Sequence, residues 1–403
     1  MSTATHDSPA GLHLPAAPHA AVRPASTGPT TTTSGPTDAT TTATTHAPAA
    51  SSAATTGAPA RSSDIPPFPT GVQKLTFAKA ITLGLRRALA DDDKVLLMGE
   101  DIGRLGGVFR VTDGLQAEFG DDRVVDTPLA ESGIVGTAIG LALRGYRPVL
   151  EIQFDGFIFP AYDQITTQLA KMHYRSRGRL NLPVVIRVPY GGGIGAVEHH
   201  SESPEVLFAH TAGLRVVTPS SPAEAYALIQ QAVTSPDPVL FFEPKGRYWE
   251  KGEVDLDAPA TAPHGDAATG MDTARVVRAG TDVTLVAYGP TVTTALKAAE
   301  AAAAEGTSIE VVDLRTLSPL DTATVAASVQ RTGRCVVVHE APVMYGTGAE
   351  VAARITEECF FHLEAPVLRV GGFHVPYPVA KIEHDYLPGL DRVLDAVDRA
   401  LAF

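Results

Sequence analysis

Apolar and polar residues follow two recurring patterns along most of the chain, short apolar runs and longer stretches with helical spacing. A short apolar run that ends in glycine or an acid is typical of a buried strand, whereas apolar residues three and four positions apart predict a helix. Between residues 65 and 255 the two patterns alternate, with KVLLMGED, RPVLEIQF, LPVVIRVPY and PVLFFEPK as strands and LTFAKAITLGLRRALADDD, GIVGTAIGLALRG, IFPAYDQITTQLAKMHYRS and SPAEAYALIQQAVTS as helices. This alternation predicts a parallel sheet covered on both faces, with the loops after the strands gathered at one edge.

The same alternation restarts after a polar stretch that runs from PKGRYWEKGEVDL to DAATGMDT and looks like an interdomain linker. We place the linker at residues 256–269. Residues 270–403 then predict a second, smaller α/β domain with strands DVTLVAYGP, SIEVVDLR, CVVVHEAP and APVLRVGGF. The predicted fold class is therefore α/β, with domains at residues 65–255 and 270–403.

The first 64 residues have a different composition, in which Thr, Ala, Pro and Ser dominate. Large apolar residues are almost absent there, so burial cannot offset the entropy lost on ordering. The segment lacks the apolar core of a secretory signal and the arginine content of a mitochondrial transit peptide. We therefore expect a disordered tail on a cytoplasmic protein.

Composition argues against several classes of function. The formal charge of −13 disfavours binding to nucleic acid, and the chain has no apolar run of about 18 residues that would span a membrane. Cys335 and Cys359 have no metal-ligand spacing and are expected to be buried structural thiols. The sequence also lacks a GxxxxGK[ST] phosphate loop, a GxGxxG turn at the start of a helix and a GxSxG nucleophile elbow.

Glu131 is the first candidate for chemistry. It lies in DTPLAESG, between a predicted strand and a helix rich in glycine and alanine. Its apolar neighbours would desolvate the carboxyl and raise its pKa, which suits a proton donor or acceptor near neutral pH. The alternative is a carboxylate that only stabilises the helix N-terminus.

His199 and His200 are the second candidates, in the glycine-rich loop GGGIGAVEHHSESPE. A histidine on a flexible loop titrates near neutral pH and can swing into a site, although a solvated histidine pair is the simpler interpretation. Glu100 and Asp101 follow another strand and are expected at the same edge as Glu131, where they could equally form a solvated turn.

From about Leu75 to Phe403 the chain resembles the beta subunits of the decarboxylase components of 2-oxo acid dehydrogenases, and the branched-chain type most closely. The stretches that carry the resemblance occur in the family's order: GEDIGRLGGVFRVT, DRVVDTPLAESGIVG, RPVLEIQFDGFIFPAYDQI, HHSESPEVLFAH, PVLFFEPK, EVVDLRTLSPLD, RTGRCVVVHEAP and EECFFHLEAPVLRVGG. The resemblance implies a pyrimidine-binding domain of the thiamine-diphosphate-binding fold, followed by a transketolase C-terminal-like domain.

The resemblance also implies thiamine diphosphate, bound between an alpha and a beta subunit of an α2β2 assembly. In the family the alpha subunit holds the diphosphate and Mg²⁺ through a GDG motif, and this chain contains no GDG. Glu131 matches the glutamate that protonates the aminopyrimidine ring, and His200 matches the histidine that passes the acyl group to a lipoyl arm. The matching cofactor-lining positions are Glu100, Leu129, Ala130, Gln153 and Phe157, the last of which is Tyr in many relatives.

Branched-chain relatives also bind K⁺ through backbone carbonyls. The matching positions are Leu182, Val184, Val185, Ala232, Ser235 and Asp237, where the side chains differ and Ser235 replaces an acid. The implied partners are the alpha subunit, a lipoyl-bearing acyltransferase and a small 2-oxo acid. The alternatives are a pyruvate or acetoin dehydrogenase beta subunit, a catalytically silent structural subunit and a self-sufficient transketolase-type enzyme.

Overall fold

The structure is a computed structural model, and it describes residues 67–258 and 270–403. The predicted disordered tail, residues 1–64, and most of the predicted linker lie outside the described residues. We call residues 67–258 the first lobe and residues 270–403 the second lobe. The limits predicted for the two domains stay predictions.

The first lobe alternates strands and helices as the patterns predict. Its strands are β1 (Val72–Thr76), β2 (Val95–Gly99), β3 (Val124–Asp126), β4 (Arg147–Glu151), β5 (Val185–Tyr190), β6 (Arg215–Val217), β7 (Val239–Pro244) and β8 (Lys251–Asp255). Its α-helices are α1 (Phe77–Asp91), α2 (Leu115–Phe119), α3 (Glu131–Leu143), α4 (Ala170–Arg175), α5 (Glu205–Ala209) and α6 (Pro222–Thr234).

The second lobe repeats the plan on a smaller scale. Its strands are β9 (Arg275–Arg278), β10 (Val283–Ala287), β11 (Ile309–Asp313), β12 (Thr316–Ser318), β13 (Cys335–Pro342) and β14 (Leu368–Gly372). Its α-helices are α7 (Thr291–Ala304), α8 (Thr322–Thr332), α9 (Thr347–Cys359), α10 (Glu383–Tyr386) and α11 (Leu390–Leu401). The predicted α/β class with two successive α/β units is thus confirmed.

Parallel pairing organises both lobes. The seven-stranded sheet has the order β12-β6-β7-β5-β4-β2-β3, and the five-stranded sheet has the order β14-β13-β10-β11-β9. Helices α1 and α6 cover one face of the larger sheet, and they approach so closely that a Cβ on Gly84 would lie 2.3 Å from Ile229 Cγ2. The opposite face packs on α3 and the segment from Ile158 to Ala170. Because both faces are covered, catalytic side chains can reach solvent only at the strand ends.

One strand crosses between the lobes. Strand β12 follows β11 in the second lobe, yet it pairs antiparallel with β6 and becomes the edge of the first lobe's sheet. A strand of three residues gives too little periodicity to be identified from the sequence. The pairing joins the two lobes through backbone hydrogen bonds as well as through side chains.

The structure corrects two further expectations. Residues in the polar stretch that looked like a linker form β8, which pairs antiparallel with β1 and buries Val254. The helix predicted over IFPAYDQITTQLAKMHYRS is irregular, with a 3₁₀ turn at Asp155–Ala161 and a π-helical segment at Gln164–Leu169 before α4. Thr166 and Thr167 donate their hydroxyls to carbonyls four residues earlier, and such bonds compete with regular helix geometry.

The remaining general expectations concern thiols and membranes. Cys335 and Cys359 are buried free thiols, as predicted. Within the two described ranges, no helix has both the length and the hydropathy needed to cross a membrane.

Candidate active site

The carboxyl edge of the seven-stranded sheet collects most of the residues singled out from the sequence. Strands β3, β2, β4 and β5 are parallel neighbours, so the loops that follow them lie side by side. The first three of these loops lead to Glu131, Glu100 and Gln153, and the loop after β5 is the glycine-rich segment of residues 191–202. These loops therefore lie at one edge of the sheet, as predicted.

Glu131 is the first residue of α3 and is only 8% exposed. No side chain caps this helix, and Glu131 is the acid in its first turn, where the helix dipole stabilises negative charge. The preceding Leu129 is 80% exposed, which is unusual for a large apolar side chain beside a buried carboxyl. An apolar surface and an acid are thus presented together at the open edge of the sheet.

Glu100 lies close to Glu131, and the pKa of Glu100 is raised. Burial raises the pKa of Glu100, the negative charge of Glu131 raises it further, and a backbone hydrogen bond from Ala130 lowers it. Its Oε1 atom is buried and has no hydrogen-bond partner among the described residues. Two neighbouring carboxyls, one of them with an unsatisfied oxygen, are an arrangement able to hold and exchange a proton.

Gln153 completes this group of residues. Its Nε2 donates to the carbonyl of Glu100 at 3.5 Å and to Oδ2 of Asp101 at 3.4 Å. Beside the group, a cavity of about 340 Å³ opens between β2, β3 and α3. The residues that line it include Met98, Val125, Pro128, Ala130, Ile134 and Thr137.

His200 lies in a small aromatic cluster rather than in open solvent. Its ring centroid is 4.4 Å from that of Phe154 and 5.2 Å from that of Phe157. His199 is exposed, adopts a φ of 68°, and accepts a hydrogen bond from the Gly156 amide through its carbonyl. The structure therefore brings His200 and the predicted cofactor-lining Phe157 together, and it turns His199 away from them.

The loop that carries His200 is held by hydrogen bonds at both ends, although its glycine content predicts a flexible loop. At its far end, the Glu202 amide donates to Asp155 Oδ2 at 2.8 Å, and Asp155 Oδ1 accepts from the buried Lys245 at 2.7 Å. At its near end, three glycine amides donate to carboxylates of the second lobe. These bonds join groups far apart in sequence, so local composition could not reveal them.

A buried ionic network beneath the site was also missed. Arg187 bonds to Glu151 at 2.6 Å and to Glu243 at 2.7 Å, and all three side chains are almost completely buried. Burial lowers the pKa of Arg187, but the two carboxylates outweigh it and the net shift is upward. The sequence signal for this network is the charged residues Glu151, Arg187 and Glu243, each of which directly follows apolar residues in a strand pattern.

The residues predicted to bind K⁺ lie at the opposite edge of the sheet. Ser235 bonds to Ala232 and Asp237, and the carbonyls of Leu182 and Val184 accept backbone hydrogen bonds close to Val185. The guanidinium of Arg147 donates to the carbonyl of Ser235 at 3.3 Å, so a protein cation already contacts this group of carbonyls. The K⁺ site stays a prediction. In the described ranges, no three His, Cys, Asp or Glu side chains are grouped as metal ligands.

Comparisons with known families assign both lobes. Residues 73–250 match the transketolase pyrimidine binding domain, and residues 272–393 match the transketolase C-terminal domain. The first match contains all of the residues at the open sheet edge, and the second contains Glu340 and Glu383.

Two relatives match at the level of whole subunits. The chain is 62% identical over 333 residues to the pyruvate dehydrogenase E1 component subunit beta of Leifsonia xyli subsp. xyli, covering 82% of this chain and 96% of the relative. It is 55% identical over 330 residues to the 3-methyl-2-oxobutanoate dehydrogenase subunit beta of Mycobacterium tuberculosis, covering 82% and 92%. A solved structure titled as a split gene transketolase, inactive beta4 tetramer, has a TM-score of 0.65 at 24% identity over 81% of this chain and 98% of its own, and so shares the fold.

Proposed function

The chain belongs to the family of beta subunits of 2-oxo acid dehydrogenase E1 components, and from this premise we propose that it builds the pyrimidine half of a thiamine diphosphate site. The observation that carries the proposal is the pair of buried carboxyls Glu100 and Glu131 at the open edge of the seven-stranded sheet. A catalytically silent structural subunit has no use for two adjacent buried acids, one of which has a raised pKa.

The residues at this edge fit an aminopyrimidine. The unsatisfied Oε1 of Glu100 can accept a hydrogen bond from an amino group or a protonated ring nitrogen. The exposed Leu129 offers apolar contact to a flat ring, and Gln153 adds a polar group beside it. The residues that would hold the ring are Glu131, Glu100, Leu129, Ala130, Gln153 and Phe157.

In this site Glu131 holds a proton at a ring nitrogen of the aminopyrimidine. The raised pKa of Glu100 keeps its carboxyl protonated to a higher pH, which limits the repulsion between the two acids. When bound, thiamine diphosphate supplies the electron sink for the electron pair left behind as carbon dioxide departs. His200 packs beside Phe157 and is partly exposed, so it can orient a lipoyl arm that arrives from solvent.

The proposed substrate is a branched-chain 2-oxo acid, because HHSESPEVLFAH and FFEPK resemble that branch and a 3-methyl-2-oxobutanoate dehydrogenase subunit is 55% identical. Pyruvate is the second candidate, because the 62% identical relative is a pyruvate dehydrogenase subunit. A panel of 2-oxo acids on the assembled enzyme separates the two through kcat/KM. A higher kcat/KM for pyruvate than for 3-methyl-2-oxobutanoate would make pyruvate the substrate.

The proposed partner is an alpha subunit that contributes the Mg²⁺ and diphosphate half of the site. This chain has no GDG motif, and no acidic metal cluster occurs in residues 67–258 or 270–403. We expect the chain alone to show no thiamine-dependent decarboxylation, and the complex with a GDG-containing alpha chain to show it. Robust turnover by the chain alone would refute the proposal that an alpha subunit contributes half of the site. A complex that decarboxylates no 2-oxo acid would refute the proposed function.

A further inference from the structure

The loop of residues 191–202 is a closed unit with its ends together. The Gly191 amide donates to the Glu202 carbonyl at 2.9 Å, so the loop leaves the sheet and returns to nearly the same point. Its middle carries His199 and His200. Compact loops whose ends lie close together form one structural unit. The two sides of this loop are held by hydrogen bonds to groups from different lobes.

Glu383 of the second lobe holds the glycine side. Gly193 donates its amide to Oε1 at 3.0 Å, and Gly195 donates its amide to Oε2 at 3.1 Å, so one carboxylate bridges two positions of the loop. Both glycines have positive φ, 90° and 71°, a backbone conformation that side chains disfavour. Glu383 is 8% exposed, and hydrogen bonds to a largely buried carboxylate are among the stronger ones.

Tyr377 fixes Glu383 in turn. Its hydroxyl donates to Glu383 Oε1 at 2.8 Å. A Cβ on Gly192 would lie only 1.9 Å from the Tyr377 hydroxyl, so the tyrosine packs directly on the loop. The Gly192 amide donates to Glu340 at 3.0 Å, a second carboxylate of the same lobe. The glycine side therefore follows the position of the second lobe.

The opposite side of the loop is held by the first lobe alone, through the bonds of Asp155 to the Glu202 amide and to Lys245. The Gly156 amide adds a bond to the His199 carbonyl. His200 lies between the two anchors, packed on Phe154 and Phe157. Release of one anchor would leave Glu131 and Glu100 where they are, because they are placed by β2, β3 and α3. Release of the Glu383 anchor would loosen the glycine side of the loop, residues 191–197, which leads into His200.

We propose that Glu383 is a positioning residue for acyl transfer, which clamps the loop of residues 191–202 so that His200 faces an incoming lipoyl arm. The proposal rests on the proposed function for its acyl-transfer role, and on hydrogen bonds alone for the clamp. It gives the second lobe a role in acyl transfer to the lipoyl arm, the half-reaction that follows decarboxylation. Decarboxylation depends on the first lobe and on the partner subunit.

The first test measures the clamp without any enzyme activity. Glu383→Gln keeps the size of the side chain but leaves one oxygen acceptor for two amides. We expect amide hydrogen exchange of residues 191–197 in the full chain to accelerate about tenfold or more, the range for loss of a hydrogen bond to a charged group. The control is Asp385→Asn, since Asp385 lies two residues away with an exposed side chain. Unchanged exchange in Glu383→Gln, or equal acceleration in the control, overturns the clamp.

The second test separates the two half-reactions on the complex with its alpha subunit. Glu383→Gln is expected to lower reductive acylation of a lipoyl domain by about threefold or more beyond any loss of decarboxylation measured with an artificial acceptor. Equal losses in both assays overturn the positioning role. A complex without any 2-oxo acid turnover refutes the proposed function, while the exchange result still decides on the clamp.

A milder variant covers the case in which Glu383→Gln fails to fold. Tyr377→Phe removes only the hydroxyl that orients Glu383, so exchange in the loop should rise in the same direction by a smaller factor. Exchange at wild-type rates in Tyr377→Phe, from a folded protein, would contradict the proposed arrangement.

Discussion

The two lobes differ in the surroundings of the acids at the carboxyl ends of their parallel strands. In the first lobe, the acids that follow β2 and β3 face an open edge, and Glu100 keeps an oxygen without a partner. In the second lobe, the acids at the ends of β11 and β13 are engaged in contacts between lobes. Asp313 accepts from Ser220 of the first lobe and from the Arg315 amide, and Glu340 accepts from Gly192.

The same α/β architecture therefore has two uses. Acids at uncovered strand ends are available for a ligand, whereas acids at covered strand ends join the two lobes. Burial raises the pKa of Asp313 to about 7, and the charge of Glu224 adds to that effect. A perturbed acid is thus no marker of chemistry by itself, because the second lobe has one whose oxygens bind other parts of the protein. The distinguishing features of the first lobe are the unsatisfied oxygen, the exposed Leu129 and the neighbouring cavity.

The largest expected effect tests whether the contacts between the second lobe and the first stabilise the fold. Arg315 is 2% exposed, bonds to Glu224 at 2.8 Å and donates to the carbonyls of Gly270 and Thr273. Arg315→Met leaves Glu224 buried with only the exposed Arg275 as a partner. We expect the free energy of unfolding to fall by about 3 kcal/mol or more and the melting temperature by roughly 6 °C.

The matched control is Arg354→Met, which breaks an exposed ion pair with Glu350 in the same lobe. Exposed pairs contribute about 0.5 kcal/mol, so its melting temperature should change by roughly 1 °C. Similar melting temperatures for the two variants would show that the contact between lobes at Arg315 does not support the fold.

The next effect tests the first lobe as the site of chemistry. Glu131→Gln, in the complex with an alpha subunit, should slow deuterium exchange at the thiazolium carbon of bound cofactor by about a hundredfold, the range for losing a positioned proton donor. Glu350→Gln is the matched change in the second lobe, because Glu350 also lies in the first turn of a helix that follows a strand. It should leave the exchange rate unchanged.

Size-exclusion chromatography should show both glutamine variants assembled, which separates loss of chemistry from loss of the complex. A wild-type exchange rate in Glu131→Gln would refute its role. A large decrease of the exchange rate in Glu350→Gln would show that the effect is not specific to the first lobe.

Most of the fold could be predicted from the sequence, because strand and helix periods are strong where both faces of a sheet are covered. The strands that were not predicted are β1, β8, β9 and β12. Each is short, and the partner that makes it a strand lies far away in the chain, as for Val72 and Asp255. A strand defined by its pairing leaves little local signal.

The candidate site was predicted unevenly, for a similar reason. Glu131 and Glu100 follow strands, and parallel topology alone brings such residues to one edge. The contacts of Glu383 with Gly193 and Gly195 span 190 and 188 residues, and nothing in either segment indicates the other. The roles of Glu131 and His200 came from resemblance to a family, and the structure adds the surroundings in which those roles are tested.

The smallest expected effect separates the two half-reactions at His200. His200 is half-buried between Phe154 and Phe157, whereas His199 is exposed beside it. Because the cofactor acids lie on other loops, His200→Ala should leave decarboxylation with an artificial acceptor largely intact. Reductive acylation of the lipoyl domain should fall about tenfold further, or 1.4 kcal/mol in barrier height. His199→Ala, which perturbs the same loop, controls for loop damage and should lower both rates equally or not at all. If His199→Ala shows the selective loss instead, or if His200→Ala lowers both rates by one factor, then acyl transfer does not depend on His200.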